Sequence, residues 1–383
     1  MARALYVHWP FCAKKCPYCD FNSHVRETVD VEAWRAALLA DMRAEAEAAG
    51  GETLRSIFFG GGTPSLMPPA LASELIDEAQ RLWGFAPGIE ITLEANPSSV
   101  EAANFADLAR AGINRVSLGV QSLEDEALRW LGRLHGAQEA LNALETAQAR
   151  FQRVSFDLIY ALPGQTARQW EAQLDRALSL GTTHLSLYQL TIEPGTRFAT
   201  DVRRGVFEPL DDDEAAELYG LTQERTAAAS LPAYEISNHA APGEESRHNL
   251  TYWRYQDYAG IGPGAHGRRG GFATERHKKP ENYLKAVNER GHGIAVQSQL
   301  TSEAQISEAL LMGLRLVAGI DLAGLEARFG RARWAMVSRE AVERYQALGL
   351  VWQRDDRLGV EREGMGVLNS LIAELVGDEL VSG

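Results

Sequence analysis

The chain has 383 residues, of which 45% are hydrophobic and 23% are charged, so it can form a large folded core. Its formal net charge of −14 argues against nucleic-acid binding, and its longest apolar runs are too short to span a bilayer. Its three cysteines cannot all pair, which argues against a disulfide framework, and we expect a cytoplasmic protein with reduced thiols.

Short segments rich in β-branched and aromatic residues predict strands in the first half of the chain. They end in Gly, Pro or Asn, as strands that run into turns commonly do. The predicted strands are 4–9, 55–62, 89–96, 114–120, 154–162 and 184–192.

Segments with apolar residues at helical spacing lie between these strands. The predicted helices are 31–49, 69–83, 98–111, 125–131, 137–151 and 167–180. Six alternating strand–helix units indicate a parallel sheet. We therefore predict an α/β fold in which residues 1–231 form a partial (β/α)6 barrel.

The pattern changes after Ala229. Residues 232–300 are rich in Gly, Pro, aromatic residues and His, and we expect a connecting region with few regular elements. Residues 301–383 predict a mostly helical, winged-helix-like domain with a hairpin turning at Asp355–Asp356. Its predicted helices are 302–316, 322–329, 332–348 and 367–376.

One stretch departs from the acidic character of the chain. Residues 246–293 carry nine Lys or Arg against four Asp or Glu, together with four histidines. An anionic small ligand would suit this local excess of positive charge. A solvated basic loop would explain the charges equally well.

All three cysteines stand close together, with the spacing C-x3-C-x2-C at Cys12, Cys16 and Cys19. Thiolates are soft ligands that suit zinc, copper or iron–sulfur clusters. A structural zinc ion would need a fourth ligand, such as His8 or His24. A 4Fe–4S cluster held by three cysteines would leave one iron open to a ligand that is not protein.

This spacing, just after the first strand of a partial barrel, resembles that of the radical S-adenosylmethionine (SAM) superfamily. In that superfamily three cysteines hold a 4Fe–4S cluster, and SAM binds the open iron. The resemblance implies both cofactors for this chain, with Cys12, Cys16 and Cys19 as the metal ligands. It also implies that an electron from the cluster can cleave SAM to a 5′-deoxyadenosyl radical.

Residues near the ends of the predicted strands extend the resemblance. The motif "GGGTPS" would meet the methionine amino group of SAM, Glu94 the ribose hydroxyls, and Arg133 the methionine carboxylate. The full set of expected SAM-site residues is Tyr6, Tyr18, Gly61, Gly62, Thr63, Glu94, Gln121, Arg133 and Asp157.

Further motifs narrow the resemblance to the oxygen-independent coproporphyrinogen oxidase group. They are "VHWPFCAKKCPYCDFNSH", "GGGTPS", "LGVQS", "DLIYALPGQT", "YEISN" and "GIGPGAHG", and the resemblance extends over nearly the whole chain. The oxidase pattern has a fourth cysteine two residues after the third, where this chain has Phe21. That departure argues against the oxidase itself.

The segment "HNLTYW" matches the motif H-N-x-x-Y-W of a second subgroup, the HemW heme chaperones. This resemblance implies a heme site at His248, Asn249, Tyr252 and Trp253, with His248 as the axial ligand. Arg254, Arg268 or Arg269 would then meet the heme propionates.

The resemblance to HemW implies a heme chaperone that hands heme to a respiratory acceptor protein. It also implies a possible homodimer and membrane association, and since we find no membrane anchor in the sequence, we expect at most peripheral contact. The acidic net charge predicts no nucleic-acid partner. Three alternatives stay open: coproporphyrinogen oxidation, another radical SAM reaction, and a structural zinc protein. No residue is assigned a catalytic role.

Overall fold

One eleven-stranded sheet dominates the computed structural model, which describes residues 3–50 and 53–376. The strands of the described residues are β1 (Ala4–Trp9), β2 (Phe11–Cys12), β3 (His24–Val25), β4 (Leu54–Gly61), β5 (Phe85–Ala95), β6 (Arg115–Gln121), β7 (Arg153–Tyr160), β8 (His184–Gln189), β9 (Asn238–Ala240), β10 (Tyr258–Ile261), β11 (His266–Arg269), β12 (Phe272–Arg276), β13 (Ile294–Gln299), β14 (Ile320–Asp321), β15 (Val351–Arg354) and β16 (Arg357–Val360).

Helices follow most of the parallel strands and make up much of the C-terminal region. They are α1 (Val31–Ala49), α2 (Pro69–Trp83), α3 (Ser99–Ala102), α4 (Phe105–Arg110), α5 (Asp125–Trp130), α6 (Ala137–Gln148), α7 (Ala167–Leu178), α8 (Arg197–Arg203), α9 (Asp212–Ala228), α10 (Arg247–Trp253), α11 (Pro280–Arg290), α12 (Ser302–Gly313), α13 (Leu322–Phe329), α14 (Arg333–Met336), α15 (Arg339–Ala347) and α16 (Leu368–Leu375), with short 3₁₀ turns at Pro64–Leu66 and Arg362–Val367.

The large sheet has the order β13-β12-β11-β10-β1-β4-β5-β6-β7-β8-β9. Strands β10, β1 and β4 to β8 run parallel, while β9 and β11 to β13 are antiparallel additions at the two edges. Each parallel strand therefore ends at the same rim of the sheet. The α/β class is confirmed, and the six predicted strands are the successive parallel strands β1 and β4 to β8.

The region 232–300 is far more regular than its composition predicts. It adds β9 to β13 to the large sheet, and its strand β10 pairs in parallel with β1 as a seventh parallel strand. The prediction of few regular elements here was wrong. Strand β10 (Tyr258–Ile261) has only four residues and lies next to a glycine-rich turn, so it gives little local signal for a strand. Pairing with the distant strand β1, rather than local propensity, stabilises it.

Two predicted helices are each divided in two. The segment 98–111 bends at Ala103–Asn104, and the segment 332–348 is interrupted at Val337–Ser338. The Ser338 hydroxyl accepts a hydrogen bond from the Ala341 amide and so starts a new helix.

A second apolar core lies under the C-terminal helices. It contains side chains of α12 to α16 and of the small sheet β14-β16-β15. The hairpin β15–β16 turns at the predicted Asp355–Asp356, and Asp355 takes the left-handed backbone that a tight turn requires. Among the described residues, no helix combines the length and apolar character that a bilayer crossing demands.

Buried charges connect the helix after the cysteine segment to the added strands. Arg276 contacts both Asp41 and Glu45 of α1, with its Nη2 2.6 Å from Glu45 Oε2, and all three side chains are buried. Arg269 also pairs with Glu45, at 2.7 Å. These pairs fix α1 against β11 and β12.

Candidate functional site

All three cysteines line one cavity of about 420 Å³ at the carboxyl ends of the parallel strands. Gly61 ends β4, Glu94 lies near the end of β5, and Gln121 ends β6, and all three face the same cavity. Parallel strands deliver their last residues to one rim, which is why residues far apart in sequence meet here. We call this space the thiol cavity.

The three thiols are half-buried and have polar neighbours. The Thr63 hydroxyl lies 3.4 Å from Cys12 Sγ, and Arg133 Nη1 lies 3.4 Å from Cys16 Sγ. Burial raises the pKa of Cys12 and of Cys19 above the ordinary thiol value. Their thiolate forms would therefore depend on a bound metal.

The arrangement of the thiols fits a cluster better than a single ion. Within residues 3–50 and 53–376, no three His, Cys, Asp or Glu side chains are placed to share one metal ion. A 4Fe–4S cluster takes each cysteine on a different iron, so its ligands surround a larger group. Three thiols around one open cavity suit that larger group.

Two glycines at the end of β4 allow close backbone packing beside the cavity. Gly61 has a φ of +113°, and a Cβ there would lie 2.6 Å from the His8 ring. A Cβ on Gly62 would lie 2.7 Å from the carbonyl oxygen of Phe11. Side chains at either position would displace the strand that leads into the cysteine segment.

Arg133 has one donor left over in the cavity wall. Its Nη2 donates to Asn96 Oδ1 at 2.5 Å and to the Gly119 carbonyl at 2.8 Å. Its Nε is buried and has no hydrogen-bond partner among the described residues. A buried guanidinium N–H without a partner is costly, and a ligand carboxylate would satisfy it.

Two half-buried carboxyl groups, Glu94 and Asp157, line the cavity. Burial, with a further contribution from the charge of Asp157, raises the pKa of Glu94 to about 8. Burial raises the pKa of Asp157 to about 6, although its Oδ1 accepts a hydrogen bond from Ser117. A protonated Glu94 can both donate and accept hydrogen bonds, which suits it to a polyhydroxyl group such as ribose.

The thiol cavity brings together nearly all the predicted SAM-site residues. Besides the glycines and Glu94, it is lined by Tyr18, Thr63, Gln121, Arg133 and Asp157. Gln121 has a φ of +70°, a strained backbone for a residue other than glycine, and such strain is often found at functional sites.

Sequence reasoning missed Asn96 and Ser117, which also line this cavity. Asn96 donates to Thr63 Oγ1 and accepts from Arg133, so it links the glycine loop to the arginine. Alternation along a strand could have identified both, since Asn96 follows Glu94 by two residues and Ser117 precedes Gln121 by four.

Tyr6 is the exception among the predicted SAM-site residues. It faces a second cavity of about 550 Å³, which we call the adjoining cavity. Its hydroxyl bonds His8 Nδ1 at 3.0 Å. The two cavities share the lining residues Lys15, Phe21, Ser23, Gly61 and Glu94.

His248 of the HNLTYW segment lies inside the barrel and is 1% exposed. Its Nδ1 bonds the Ser56 hydroxyl at 3.0 Å, and its Nε2 bonds the Tyr252 hydroxyl at 2.7 Å. Its ring also stacks on Phe58, and burial lowers its pKa to about 3. The imidazole is thus neutral, and both nitrogens are engaged.

The other members of the segment face different surroundings. Tyr252 lines the adjoining cavity, whereas Trp253 lines a third cavity of about 840 Å³ between α10 and the C-terminal helices. The Asn249 amide lies 3.5 Å from the Tyr234 hydroxyl. The structure therefore does not gather the four residues around one open space.

The three arginines expected near heme propionates also separate. Arg269 is buried against Glu45, and Arg268 is buried over the Tyr255 ring, 3.5 Å from its centroid. Arg254 is exposed and lines the third cavity beside Trp253.

Two family models match the chain. The radical SAM superfamily model matches residues 6–177, and the HemN C-terminal domain model matches residues 300–367. The first covers the cysteine segment and the strands that surround the thiol cavity. The second covers most of the C-terminal core.

Named relatives extend over most of the chain. Heme chaperone HemW of Bacillus subtilis is 32% identical, with 98% of this chain and all of the relative covered. Heme chaperone HemW of Escherichia coli is 43% identical over 69% of this chain and 70% of the relative. The mitochondrial radical S-adenosyl methionine domain-containing protein 1 of Bos taurus is 38% identical, over 97% and 87% of the two chains.

Among solved structures, coproporphyrinogen III oxidase of Escherichia coli matches with a TM-score of 0.81. The match covers 97% of this chain and 89% of that chain at 22% identity. At that identity the likeness establishes the fold.

Proposed function

Because the chain belongs to the HemW family within the radical SAM superfamily, we propose that it is a heme chaperone, which binds heme and transfers it to an acceptor protein. Its cofactors are the 4Fe–4S cluster and SAM of that superfamily. The proposal concerns what the chain does with heme beside this cofactor site.

We assign the cluster to Cys12, Cys16 and Cys19, whose thiols line the thiol cavity. The unpartnered Nε of Arg133 would bind the methionine carboxylate of SAM, and Glu94 would bind the ribose hydroxyls. When bound, the cluster supplies an electron that can cleave SAM. The protein side chains hold and orient the cofactor at the strand ends.

The match to a Bacillus subtilis heme chaperone over its entire length carries the proposal. The residue at position 21 supports it, because the oxidase pattern has a fourth cysteine where this chain has Phe21. Phe21 is 58% exposed at the mouth of both cavities. An exposed aromatic ring suits contact with a flat apolar ligand such as a porphyrin.

The HNLTYW segment contributes to the proposed heme region from inside the barrel. Tyr252 lines the adjoining cavity, and His248 lies behind it with its Nε2 on the Tyr252 hydroxyl. Ligation of iron by His248 would require this hydrogen bond to break and the ring to become accessible.

Several further properties belong to the same proposal. We propose a cytoplasmic protein, with a respiratory heme protein as acceptor, at most peripheral membrane contact and a possible homodimer. We also propose the division into a barrel (1–231), a connecting region (232–300) and a winged-helix-like domain (301–383).

Heme titration of the anaerobically reconstituted protein tests the proposal, followed by mixing of the loaded protein with apomyoglobin as a heme acceptor. We expect the Soret absorbance to saturate at one heme per chain. After mixing, we expect the heme to appear on apomyoglobin. Absence of stoichiometric heme binding would contradict the chaperone function.

An oxidase is the second candidate, since the residues that we assign to the cluster and SAM all line the thiol cavity. Incubation with coproporphyrinogen under anaerobic, reducing conditions separates the two functions. Formation of protoporphyrinogen together with 5′-deoxyadenosine would support the oxidase function.

A further inference from the structure

The adjoining cavity is lined by three histidines, which differ in how much of their hydrogen-bonding capacity is used. His8 is buried, with Nδ1 on the Tyr6 hydroxyl and Nε2 2.9 Å from the Asn22 carbonyl. His24 Nε2 bonds Asn22 Oδ1 at 3.2 Å. His266 is exposed, and within residues 3–50 and 53–376 neither of its ring nitrogens has a hydrogen-bond partner.

A ring nitrogen is available to a metal only when its lone pair is not already used. His266 meets that condition at both ring nitrogens without rearrangement, whereas His248 and His8 would each have to give up hydrogen bonds. The His24 ring is already engaged with Asn22 Oδ1 and with the Lys278 backbone carbonyl. His266 also begins strand β11, so its backbone is held by pairing with Glu275 of β12. A ligand on a strand is positioned more accurately than one on a free loop.

The surroundings of His266 suit the rest of a heme. The exposed cations Lys15 and Lys278 line the cavity and could pair with carboxylates. Phe21 and Tyr258 offer aromatic surface to a porphyrin ring. The acidic residues on the lining are Asp20 and Glu94.

We propose that His266 is the axial iron ligand of heme held in the adjoining cavity, with Phe21 against the porphyrin and Lys15 and Lys278 toward its propionates. This assignment rests on the proposed heme-chaperone function and specifies its site. Heme at this site would lie directly beside the thiol cavity, because the two cavities share five lining residues.

The test compares anaerobically reconstituted wild type with His266→Gly, His248→Ala and His292→Ala. Each protein is titrated with hemin and followed by absorption and electron paramagnetic resonance spectroscopy. His292 is a control from the same basic stretch, since it lines none of the described cavities near the cofactor site. Iron content of the cluster and circular dichroism verify that each variant is folded.

We expect His266→Gly to lose the imidazole-ligated spectrum and to bind heme more than about tenfold more weakly. Free imidazole should restore the spectrum in this variant, because the ligand is replaced in the space that the side chain leaves. His248→Ala and His292→Ala should keep an imidazole-ligated spectrum. If His266→Gly fails to fold, His266→Met serves instead and should show a changed ligand field.

An unchanged spectrum in a folded His266 variant would overturn the assignment, most directly if His248→Ala alone lost it. The chaperone function would then stand with a different ligand. Wild-type protein that binds no stoichiometric heme would instead overturn the proposed function itself. The two failures are therefore distinguishable.

Discussion

At the scale of single residues, the chemistry depends on which polar atoms are left without protein partners. Arg133 lines the thiol cavity and has a buried Nε without a hydrogen-bond partner among the described residues. His266 lines the adjoining cavity, and no partner of its ring nitrogens lies among those residues. His248 has the same ring as His266, yet both of its nitrogens are used. Residue type alone therefore does not identify a ligand.

Arg133→Gln should weaken SAM binding about tenfold or more, because a hydrogen bond to a charged group contributes about 1.5–3 kcal/mol. Equilibrium dialysis with reconstituted protein measures the affinity, and the iron content controls for damage at Cys16, which Arg133 contacts. Arg129→Gln is the matched control, since the Arg129 side chain is exposed on α5 and donates to the Asp125 carbonyl, away from the thiol cavity lining. Equal SAM affinity in both variants would rule out the carboxylate role.

Glu94 should make the cofactor-free protein less stable as the pH rises. Its pKa is raised to about 8 from an ordinary 4.5, so the folded chain keeps a proton that the unfolded chain releases. Stability then falls with pH between these values, by up to about 1.4 kcal/mol per pH unit, and the loss is complete above the folded pKa.

Between pH 7 and pH 8 the change in stability reports on Glu94 rather than on Asp157. The pKa of Asp157 is raised only to about 6, so that group is already mostly ionised in this window. Urea unfolding of cluster-free wild type and Glu94→Gln measures the difference. The stability advantage of the variant should grow across this window. A constant difference would show that Glu94 is already ionised.

At the scale of elements, strand ends and one buried charge cluster position the cofactor site. Segments 31–49 and 69–83 were predicted with the bounds that α1 and α2 have, and the six strands were predicted within a few residues. Local patterning identifies such elements, since β/α alternation repeats at short range. Strand β10 is held by pairing with β1, and β9 by pairing with β8, and no local pattern contains either pairing. Strands β11 and β12 instead pair locally, across the turn at Gly270 and Gly271.

Arg276→Met should lower the free energy of unfolding by about 3–5 kcal/mol, because it leaves Asp41 and Glu45 buried without their main cation. Lys285→Met is the control, as its pair with Glu289 is exposed and should contribute less than about 1 kcal/mol. Denaturant unfolding measures both variants. Similar losses in the two would mean that the buried cluster does not hold α1 in place.

At the scale of the whole molecule, Tyr255 joins the large sheet region to the C-terminal core. It follows α10, is 2% exposed, and belongs to the second apolar core. Its hydroxyl donates to Glu308 of α12 at 2.5 Å, and Arg268 of β11 lies over its ring. The third cavity, lined by Trp253, lies at the same junction.

Tyr255→Ala should loosen the C-terminal helices, at a cost of about 3–5 kcal/mol, because it removes a buried aromatic ring from their core. Limited proteolysis should then cut the chain near α12 earlier than in wild type. Tyr255→Phe retains the ring and should behave nearly as wild type. Equal protease resistance of Tyr255→Ala and wild type would contradict this role.

The sequence by itself indicated a metal held by thiolates, and its resemblance to the radical SAM superfamily implied the 4Fe–4S cluster and SAM. Three thiols within eight residues and polar residues at successive strand ends are local patterns, and parallel strands bring them to one rim. Only the tertiary structure decided which side chains face an open space. It buried His248 against Ser56, which is 192 residues away in the sequence. It placed Tyr6 beside Tyr252 in the adjoining cavity and left the His266 ring there without a hydrogen-bond partner among the described residues. Hydrogen-bond satisfaction is a property of the whole fold, and spacing along the chain does not encode it.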